Sequence, residues 1–252
     1  MGSEDVYITG IDMIKFGKFP DRSIAALGAE SALGALDDAG VTINDIEALY
    51  SGNLMMAAGM VGQQIQQEIG QTGIPVVNCS NACPTGATAL REGFIAIKAG
   101  IYDTVLAVGV EKLAGAGMLG GGGGSKGIHP EGLLGSGSMP CVFAEAGMAH
   151  AKDYGTTFEQ FAQIAVKNHH HSTMNPKARY QIETPLEEVM GAEMISYPNT
   201  KLMCSANVDG SAADVLMSEK EMKKRGLQGQ AVKIRASVLT TDPWTDRDEV
   251  MP

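Results

Sequence analysis

The chain has 252 residues, 44% of them hydrophobic, and a formal net charge of −10 at pH 7. This length suits one large domain or two small ones with ample core, and the negative charge argues against nucleic-acid binding as the main role. No apolar run reaches the ~18 residues of a transmembrane helix, and the start MGSEDVYITG does not resemble a secretory signal. The four cysteines have no repeated spacing, so we expect reduced thiols and a cytoplasmic location.

The first elements alternate between strand and helix patterns. Residues 6–11 (VYITGI) predict a strand, and Ser23 is a suitable N-cap for a helix that runs to Ala39. Residues 48–52 predict a second strand, and residues 55–70 (MMAAGMVGQQIQQEIG) a second helix. The methionines of that helix have two interpretations: flexible core filling, which is the commoner use of Met, or the lining of an acyl pocket.

Residues 74–100 (IPVVNCSNACPTGATALREGFIAIKAG) carry the main candidate for chemistry. An apolar run at 74–77 is followed by Cys83, then Pro84, then a helical pattern. Pro is favoured at the first helical position, so Cys83 is predicted at a helix N-terminus, where a thiol ionises readily and becomes nucleophilic. A strand, a turn with the nucleophile and a helix together form a nucleophile elbow. The alternative is that Cys83, like many free cysteines, only fills space.

Residues 103–110 (DTVLAVGV) predict a buried strand that ends at Glu111, for which a structural role in holding a loop is the simpler interpretation. A glycine-rich region follows at 113–138. Gly115, Gly117 and Gly120 match the spacing G-x-G-x-x-G, but no strand directly precedes them and five consecutive glycines disfavour the required helix. We therefore predict a mobile loop that acts as a lid or forms a subunit contact, and not a dinucleotide site.

The next segment has strong helix signals. Residues 139–154 predict a helix that ends at Gly155, and Thr157 is the predicted N-cap of another that ends near Asn168. Three histidines follow at 169–171, but adjacent residues point in different directions on a helix and no further ligand stands at suitable spacing, so we expect no metal site.

The remaining chain contains shorter elements. Residues 185–188 begin a short helix, residues 202–214 (LMCSANVDGSAAD) predict a strand, an Asp-Gly turn and a helix of small residues, and residues 232–240 predict a strand.

The motifs in this order resemble those of the thiolases, most closely the sterol-carrier-protein type with its bacterial and archaeal relatives. The matching segments are Cys83 followed by PTGATAL, then LAVGVEK, MPCVFAEAGMAHAKDYGTTFEQFAQIAVKNHHHSTMNP and CSANVDGSAA. The resemblance covers essentially the whole chain. It implies an α/β, thiolase-like layered fold, with helices packed on a mixed sheet and an inserted loop domain. Residues 1–112 and 201–252 would form the N-terminal thiolase half, and residues 113–200 the loop domain over the active site.

The resemblance also assigns site residues. Cys83 matches the acyl-accepting nucleophile, and its backbone N–H would form half of an oxyanion hole. Asn207, Asp209 and Gly210 match a family segment that lies near bound coenzyme A. Met139, Phe143 and His150 match a helix that borders the substrate channel. The family mechanism needs no metal or organic cofactor, because coenzyme A is itself a substrate.

The sequence departs from the family pattern in two ways. The family's second half, with its G-H-P histidine, its N-E-A-F or H-D-A-F motif and its C-x-G cysteine, is absent from this chain, so the site needs residues from elsewhere. Pro84 also stands where Ala or Ser is usual, which indicates a divergent subgroup. Some such subgroups, such as benzylsuccinate-pathway thiolases and side-chain retro-aldolases, act with a small zinc-ribbon and OB-fold partner subunit.

Three functions follow from these features. The main hypothesis is an acyl-CoA C-acyltransferase that cleaves a 3-ketoacyl-CoA with coenzyme A through a Cys83 acyl-enzyme. The alternatives are a retro-aldolase acting on a CoA thioester, or a non-catalytic subunit that binds acyl-CoA or assists assembly. The family resemblance implies a homodimer or tetramer, and no nucleic-acid or membrane partner is expected.

Overall fold

The computed structural model describes residues 4–115 and 138–241, and the chain divides into two compact units. Of the described residues, 4–114 and 208–241 form the sheet unit, and 115 and 138–207 belong to the helical unit. The boundaries therefore lie two and seven residues beyond those expected at 112 and 200. Most of the glycine-rich region expected to form a loop, and the end of the chain, lie outside the described residues.

A six-stranded mixed sheet forms the centre of the sheet unit. Its strands are β1 (Val6–Met13), β2 (Ala48–Gly52), β3 (Val76–Cys79), β4 (Thr104–Lys112), β7 (Asp209–Ser218) and β8 (Val232–Lys233). Their order in the sheet is β3-β2-β4-β7-β1-β8. Strands β2, β3 and β4 are parallel, whereas β7 runs antiparallel to both β4 and β1. The carboxyl ends of the three parallel strands and the start of β7 thus share one edge of the sheet.

Helices cover the two faces of this sheet. On one face, α1 (Ile24–Asp38) and α2 (Val61–Ile69) pack with the sheet around Leu27, Ile65 and Val215, all fully buried. On the other face, α3 (Thr85–Lys98) buries Ala89 and Ile97 against β2 and β4. A short helix, α7 (Glu219–Lys224), follows β7. The predicted fold class, helices on a mixed sheet, is confirmed.

The cap signals in the sequence mark helix ends correctly. The Ser23 hydroxyl accepts a hydrogen bond from the Ala26 N–H at the start of α1. In the helical unit, α4 (Met139–Tyr154) ends at Gly155 in the left-handed conformation, and Thr157 forms a capping box with Gln160. These are residue types that satisfy free backbone groups at helix ends.

The helical unit also contains α5 (Phe158–Thr173), α6 (Leu186–Gly191) and a small hairpin of β5 (Met194–Ser196) and β6 (Asn199–Thr200). Its core is small and centres on Ala162, Ala165 and Val189. Helix α5 continues five residues beyond its predicted end. Within residues 4–115 and 138–241, no helix is both long and apolar enough to cross a lipid bilayer.

Three predictions from local pattern are wrong. The small residues after Asp209 belong to β7, a ten-residue strand, because they lie between β4 and β1 in the middle of the sheet and tertiary context overrides local propensity. The segment predicted as a helix from residue 55 becomes helical only at Val61, after a loop with a single 3₁₀ turn. Strand β8 has two residues instead of the nine predicted.

Candidate active site

Cys83 lies in the turn that joins β3 to α3, and its side chain is exposed. The helix begins at Thr85, with Pro84 as its N-cap, one residue later than predicted. The Pro84 carbonyl accepts the first helical hydrogen bond, from the Thr88 N–H at 2.8 Å. Cys83 therefore directly precedes the helix N-cap, and the strand, turn and helix of the predicted elbow are present. The interpretation of Cys83 as buried core filling is wrong.

Two threonine hydroxyls hold this turn. The Thr85 hydroxyl accepts a hydrogen bond from the Asn81 N–H at 2.8 Å and donates one to the Ala82 carbonyl at 2.6 Å. The Thr88 hydroxyl donates to the Pro84 carbonyl at 3.0 Å and accepts from the Asn81 side-chain amide at 3.0 Å. These two roles were not predicted, although Thr at the start of a helix commonly bonds the adjacent backbone.

The turn is also strained. Ala82 has φ of 45°, a left-handed conformation that is uncommon for residues other than glycine. Such a conformation persists only when its surroundings hold it in place, and it is often found at functional sites. The hydrogen bond from the Thr85 hydroxyl to the Ala82 carbonyl supplies part of that restraint.

Glycines let the start of α3 approach the sheet closely. A Cβ at Gly52, the last residue of β2, would lie 2.7 Å from the Thr85 carbonyl oxygen. A Cβ at Gly109 in β4 would lie 3.1 Å from the Cα of Gly86. A methyl group at Gly52 does not fit there, so these glycines set the start of α3, and with it Cys83, against the ends of β2 and β4.

Glu111 fixes the loop that follows β2. Its carboxylate accepts hydrogen bonds from the N–H groups of Leu54 and Met55, at 2.9 and 3.1 Å, and from the Asn53 side-chain amide at 3.0 Å. The Asn53 amide also donates to the Val110 carbonyl at 2.8 Å. The predicted structural role of Glu111 is confirmed.

The sequence model of the thiolase N-terminal domain matches residues 6–194. The chain belongs to the thiolase family. It is 36% identical to sterol carrier protein 2 of Gallus gallus over 94% of this chain and 45% of that protein. It is 34% identical to an acetyl-CoA acetyltransferase of Methanothermobacter thermautotrophicus over 84% of this chain and 56% of that protein. The chain therefore spans about half the length of the curated relatives it matches.

Solved structures share the thiolase fold. The Ltp2-ChsH2(DUF35) aldolase aligns with a TM-score of 0.73 and 22% identity, over 87% of this chain and 57% of that chain. The acetyl-CoA acetyltransferase from Syntrophomonas wolfei aligns with a TM-score of 0.69 and 19% identity, over 89% and 67% of the two chains. At these identities the likeness describes the fold.

Within this thiolase domain, Asp209 and Gly210 lie at the same edge of the sheet as the Cys83 turn. The buried Asp209 carboxylate accepts hydrogen bonds from the Phe19 N–H at 2.8 Å and the Ala114 N–H at 2.9 Å. Gly210 leaves room for the Phe16 ring, which a Cβ would strike. Both residues thus have structural tasks, and contact with coenzyme A remains a prediction. Asn207 is exposed, two residues before β7.

The other three predicted thiolase residues lie on α4 of the helical unit. Met139, Phe143 and His150 have spacings of four and seven residues, which place them on one face of the helix. Phe143 is 63% exposed, and the His150 Nδ1 lies 2.9 Å from the Thr156 hydroxyl. Their predicted contact with the substrate channel stays a prediction.

Two of the three consecutive histidines in this thiolase domain contact polar groups of the same chain. His169 Nε2 lies 3.1 Å from the Leu202 carbonyl oxygen, and His170 Nδ1 lies 2.7 Å from a Glu183 carboxylate oxygen. Among the residues that the structure describes, no group of three or more His, Cys, Asp or Glu side chains is arranged to hold a metal ion.

Asp214 is an unexpected ionisable group in the sheet. It lies in β7, opposite Ala107 of β4 and Ile11 of β1. Although the residue as a whole is only partly buried, its Oδ1 is inaccessible and has no hydrogen-bond partner among the residues that the structure describes. Burial raises the pKa of the Asp214 carboxyl to about 7. This burial was not predictable from the sequence, because it depends on which strands flank the residue.

Proposed function

We propose that this chain is the nucleophile-bearing part of a thiolase, an acyl-CoA C-acyltransferase that cleaves a 3-ketoacyl-CoA. The observation that carries the proposal is the exposed Cys83 in a strained turn before α3, held by Thr85 and Thr88. Family membership and the similarity to acetyl-CoA acetyltransferases support the same chemistry.

The reaction has two steps at Cys83. The thiolate attacks the keto carbon, the bond between that carbon and the α-carbon breaks, and the departing acetyl-CoA carbanion takes a proton from an acid. The thiolate of free coenzyme A then attacks the acyl-enzyme thioester and releases the Cys83 thiolate with a new acyl-CoA. Backbone N–H groups near the elbow stabilise the oxyanion. Losing one such donor typically raises the activation free energy by about 3 kcal/mol. No metal or organic cofactor takes part.

The acid and base come from outside these 252 residues in this proposal. The histidine and second cysteine motifs of the family do not occur in the sequence, and the chain spans 45% of sterol carrier protein 2. A second thiolase half, in a longer polypeptide or in another chain, completes the site. We also propose a homodimer or tetramer and a cytoplasmic location; the four free cysteines fit a reducing compartment.

A retro-aldolase is the second candidate. The solved neighbour at a TM-score of 0.73 is titled an aldolase with a DUF35 protein, and Pro84 sets this elbow apart from the usual thiolase sequence. Such an enzyme would use a zinc-ribbon and OB-fold partner. It would break a C–C bond of its CoA-thioester substrate without acylating Cys83. A non-catalytic acyl-CoA-binding or assembly subunit is the third candidate, since the chain lacks the second-half motifs.

Intact mass tests these alternatives. The purified protein is incubated with acetyl-CoA or a 3-ketoacyl-CoA, beside Cys83→Ser and the control Cys204→Ser, which changes a half-buried thiol of the helical unit. We expect one acyl group on the wild type and on Cys204→Ser, and none on Cys83→Ser. Absence of an adduct from a preparation with its second half would favour the retro-aldolase. Absence of an adduct from the 252-residue chain alone would favour a binding subunit, or a domain that requires its second half.

A further inference from the structure

The loop between β2 and α2 exposes several large apolar side chains. We name residues 53–60 the methionine loop; Leu54, Met55, Met56 and Met60 are 40%, 57%, 46% and 61% exposed. These methionines are therefore not core filling. From residue 48 to residue 67 the chain has no charged side chain. Exposed side chains of Met and Leu are suited to contact with an apolar ligand group.

The backbone of this loop is held in place. Glu111 accepts hydrogen bonds from the N–H groups of Leu54 and Met55, and the Asn53 side-chain oxygen accepts one from the Met56 N–H at 2.7 Å. At the far end, Met60 has φ of 52°, a strained conformation for a residue with a side chain. The exposed side chains thus project from a backbone that is fixed, so the surface is preformed.

The start of the methionine loop and the first turn of the helix that follows it are joined to the strand that leads to Cys83. The Asn53 N–H donates to the Cys79 carbonyl at 3.2 Å, and the Gly62 N–H donates to the Asn78 side-chain oxygen at 2.8 Å. Cys79 and Asn78 lie four and five residues before Cys83. Four residues span at most about 14 Å. The loop is therefore next to the nucleophile turn, within the same unit.

We propose that the methionine loop binds the acyl part of the substrate, and that this part is an apolar group larger than acetyl. The inference rests on the proposed acylation of Cys83. Methionine is flexible and polarisable, so it adapts to ring-shaped or branched apolar groups. The ligand class is therefore a CoA thioester with a bulky apolar acyl chain, and the methionines determine its selection over acetyl.

The test uses Cys83 as a reporter and needs no acyl transfer. Cys83 is alkylated with iodoacetamide or with its N-phenyl analogue, which shares the reacting group, and modification is quantified on the Cys83 peptide by mass spectrometry. For each protein, the rate with the N-phenyl analogue is divided by the rate with iodoacetamide. This ratio is compared between wild type and the double variant Met55→Gln, Met56→Gln, which preserves side-chain length. We expect the ratio to fall about tenfold, the effect of losing roughly 55 Å² of apolar contact.

The control is Ile101→Gln, which changes a 63% exposed apolar residue at the opposite end of β4. Its ratio should equal that of the wild type. An unchanged ratio in the double variant, or an equal fall in Ile101→Gln, would overturn the proposal. A loss of self-association in the double variant with an unchanged ratio would also overturn it, and would assign the loop to a contact between copies. Alkylation of Cys83 does not require CoA chemistry. A failed acylation experiment would therefore not change the outcome of this test, and the two failures can be told apart.

Discussion

At the scale of single residues, the geometry of the turn that contains Cys83 depends on a threonine. The Thr85 hydroxyl is buried and bonds two backbone groups of the turn that contains Cys83. Thr→Val keeps the shape of the side chain and removes both bonds, which leaves a backbone donor and a backbone acceptor without these partners. The strained φ of Ala82 then loses a restraint, so the turn is free to relax and Cys83 changes position.

We therefore expect Thr85→Val to lower the free energy of unfolding by about 1–3 kcal/mol and to slow acylation of Cys83. Urea unfolding and the rate of acyl-adduct formation measure the two effects. Thr9→Val is the matched control, because Thr9 is also buried and bonds the Val215 carbonyl at 3.2 Å in the sheet. Equal acylation rates in both variants would show that Thr85 has no role beyond stability.

A second residue-scale prediction concerns Asp214. Burial raises the pKa of its carboxyl from 3.8 to about 7, so between these pH values the folded state holds a proton that the unfolded state releases. This group therefore stabilises the fold most at low pH, and its contribution is lost as the pH rises from about 4 to about 7. The difference between the two pKa values corresponds to about 4 kcal/mol.

Asp214→Asn removes this titration. Urea unfolding at pH 5 and at pH 8 should show that the wild type loses more stability between the two than Asp214→Asn does. Asp37→Asn, at an exposed position on α1, controls for the change in net charge. Parallel pH profiles for wild type and Asp214→Asn would contradict the assignment of a protonated carboxyl in the sheet.

At the scale of elements, the contact between α3 and the sheet sets the site. Gly52→Ala places a methyl group 2.7 Å from the Thr85 carbonyl oxygen. Relieving this contact would require a shift of the backbone of β2 or of α3. We expect a loss of about 1–3 kcal/mol in the free energy of unfolding together with slower acylation of Cys83. Gly191→Ala, which meets nothing within 4 Å, should leave both unchanged. An acylation rate like that of the wild type in Gly52→Ala would mean that the helix start does not need this approach.

The elements also show what the sequence could and could not predict. Helix ends marked by Ser23, Thr157 and Gly155 were predictable because one residue supplies the missing hydrogen bond or the left-handed turn. The position of Cys83 followed from the same reasoning. Strand β7 was not predictable from its small residues, since its place between β4 and β1 decides its conformation. The sequence could not decide between core filling and a pocket lining for the methionines of residues 53–60, because Met is compatible with both a core and a surface.

At the scale of the whole molecule, one face of the sheet carries exposed apolar side chains. Helix α3 covers β2 and β4 on that face, but on the same face Ile11 of β1 and Val232 of β8 are 61% and 64% exposed, and Ala212 of β7 is exposed as well. Exposed apolar side chains on one face of a sheet commonly mark an interaction site. Under the proposed function, we expect the second thiolase half to cover this face.

The 252-residue chain alone should therefore self-associate through this face. We expect Ile11→Ser to weaken that association about tenfold, because it removes roughly half of the contribution of a buried isoleucine. Sedimentation velocity over a concentration series measures the change. Ile101→Ser, which changes an equally exposed isoleucine at the α3–β4 turn, should have no effect.

In a polypeptide that includes the second half, Ile11→Ser should instead lower the free energy of unfolding by about 1–3 kcal/mol, because the covering half buries this side chain. Identical behaviour of Ile11→Ser and Ile101→Ser in both proteins would exclude this face as the contact with the second half.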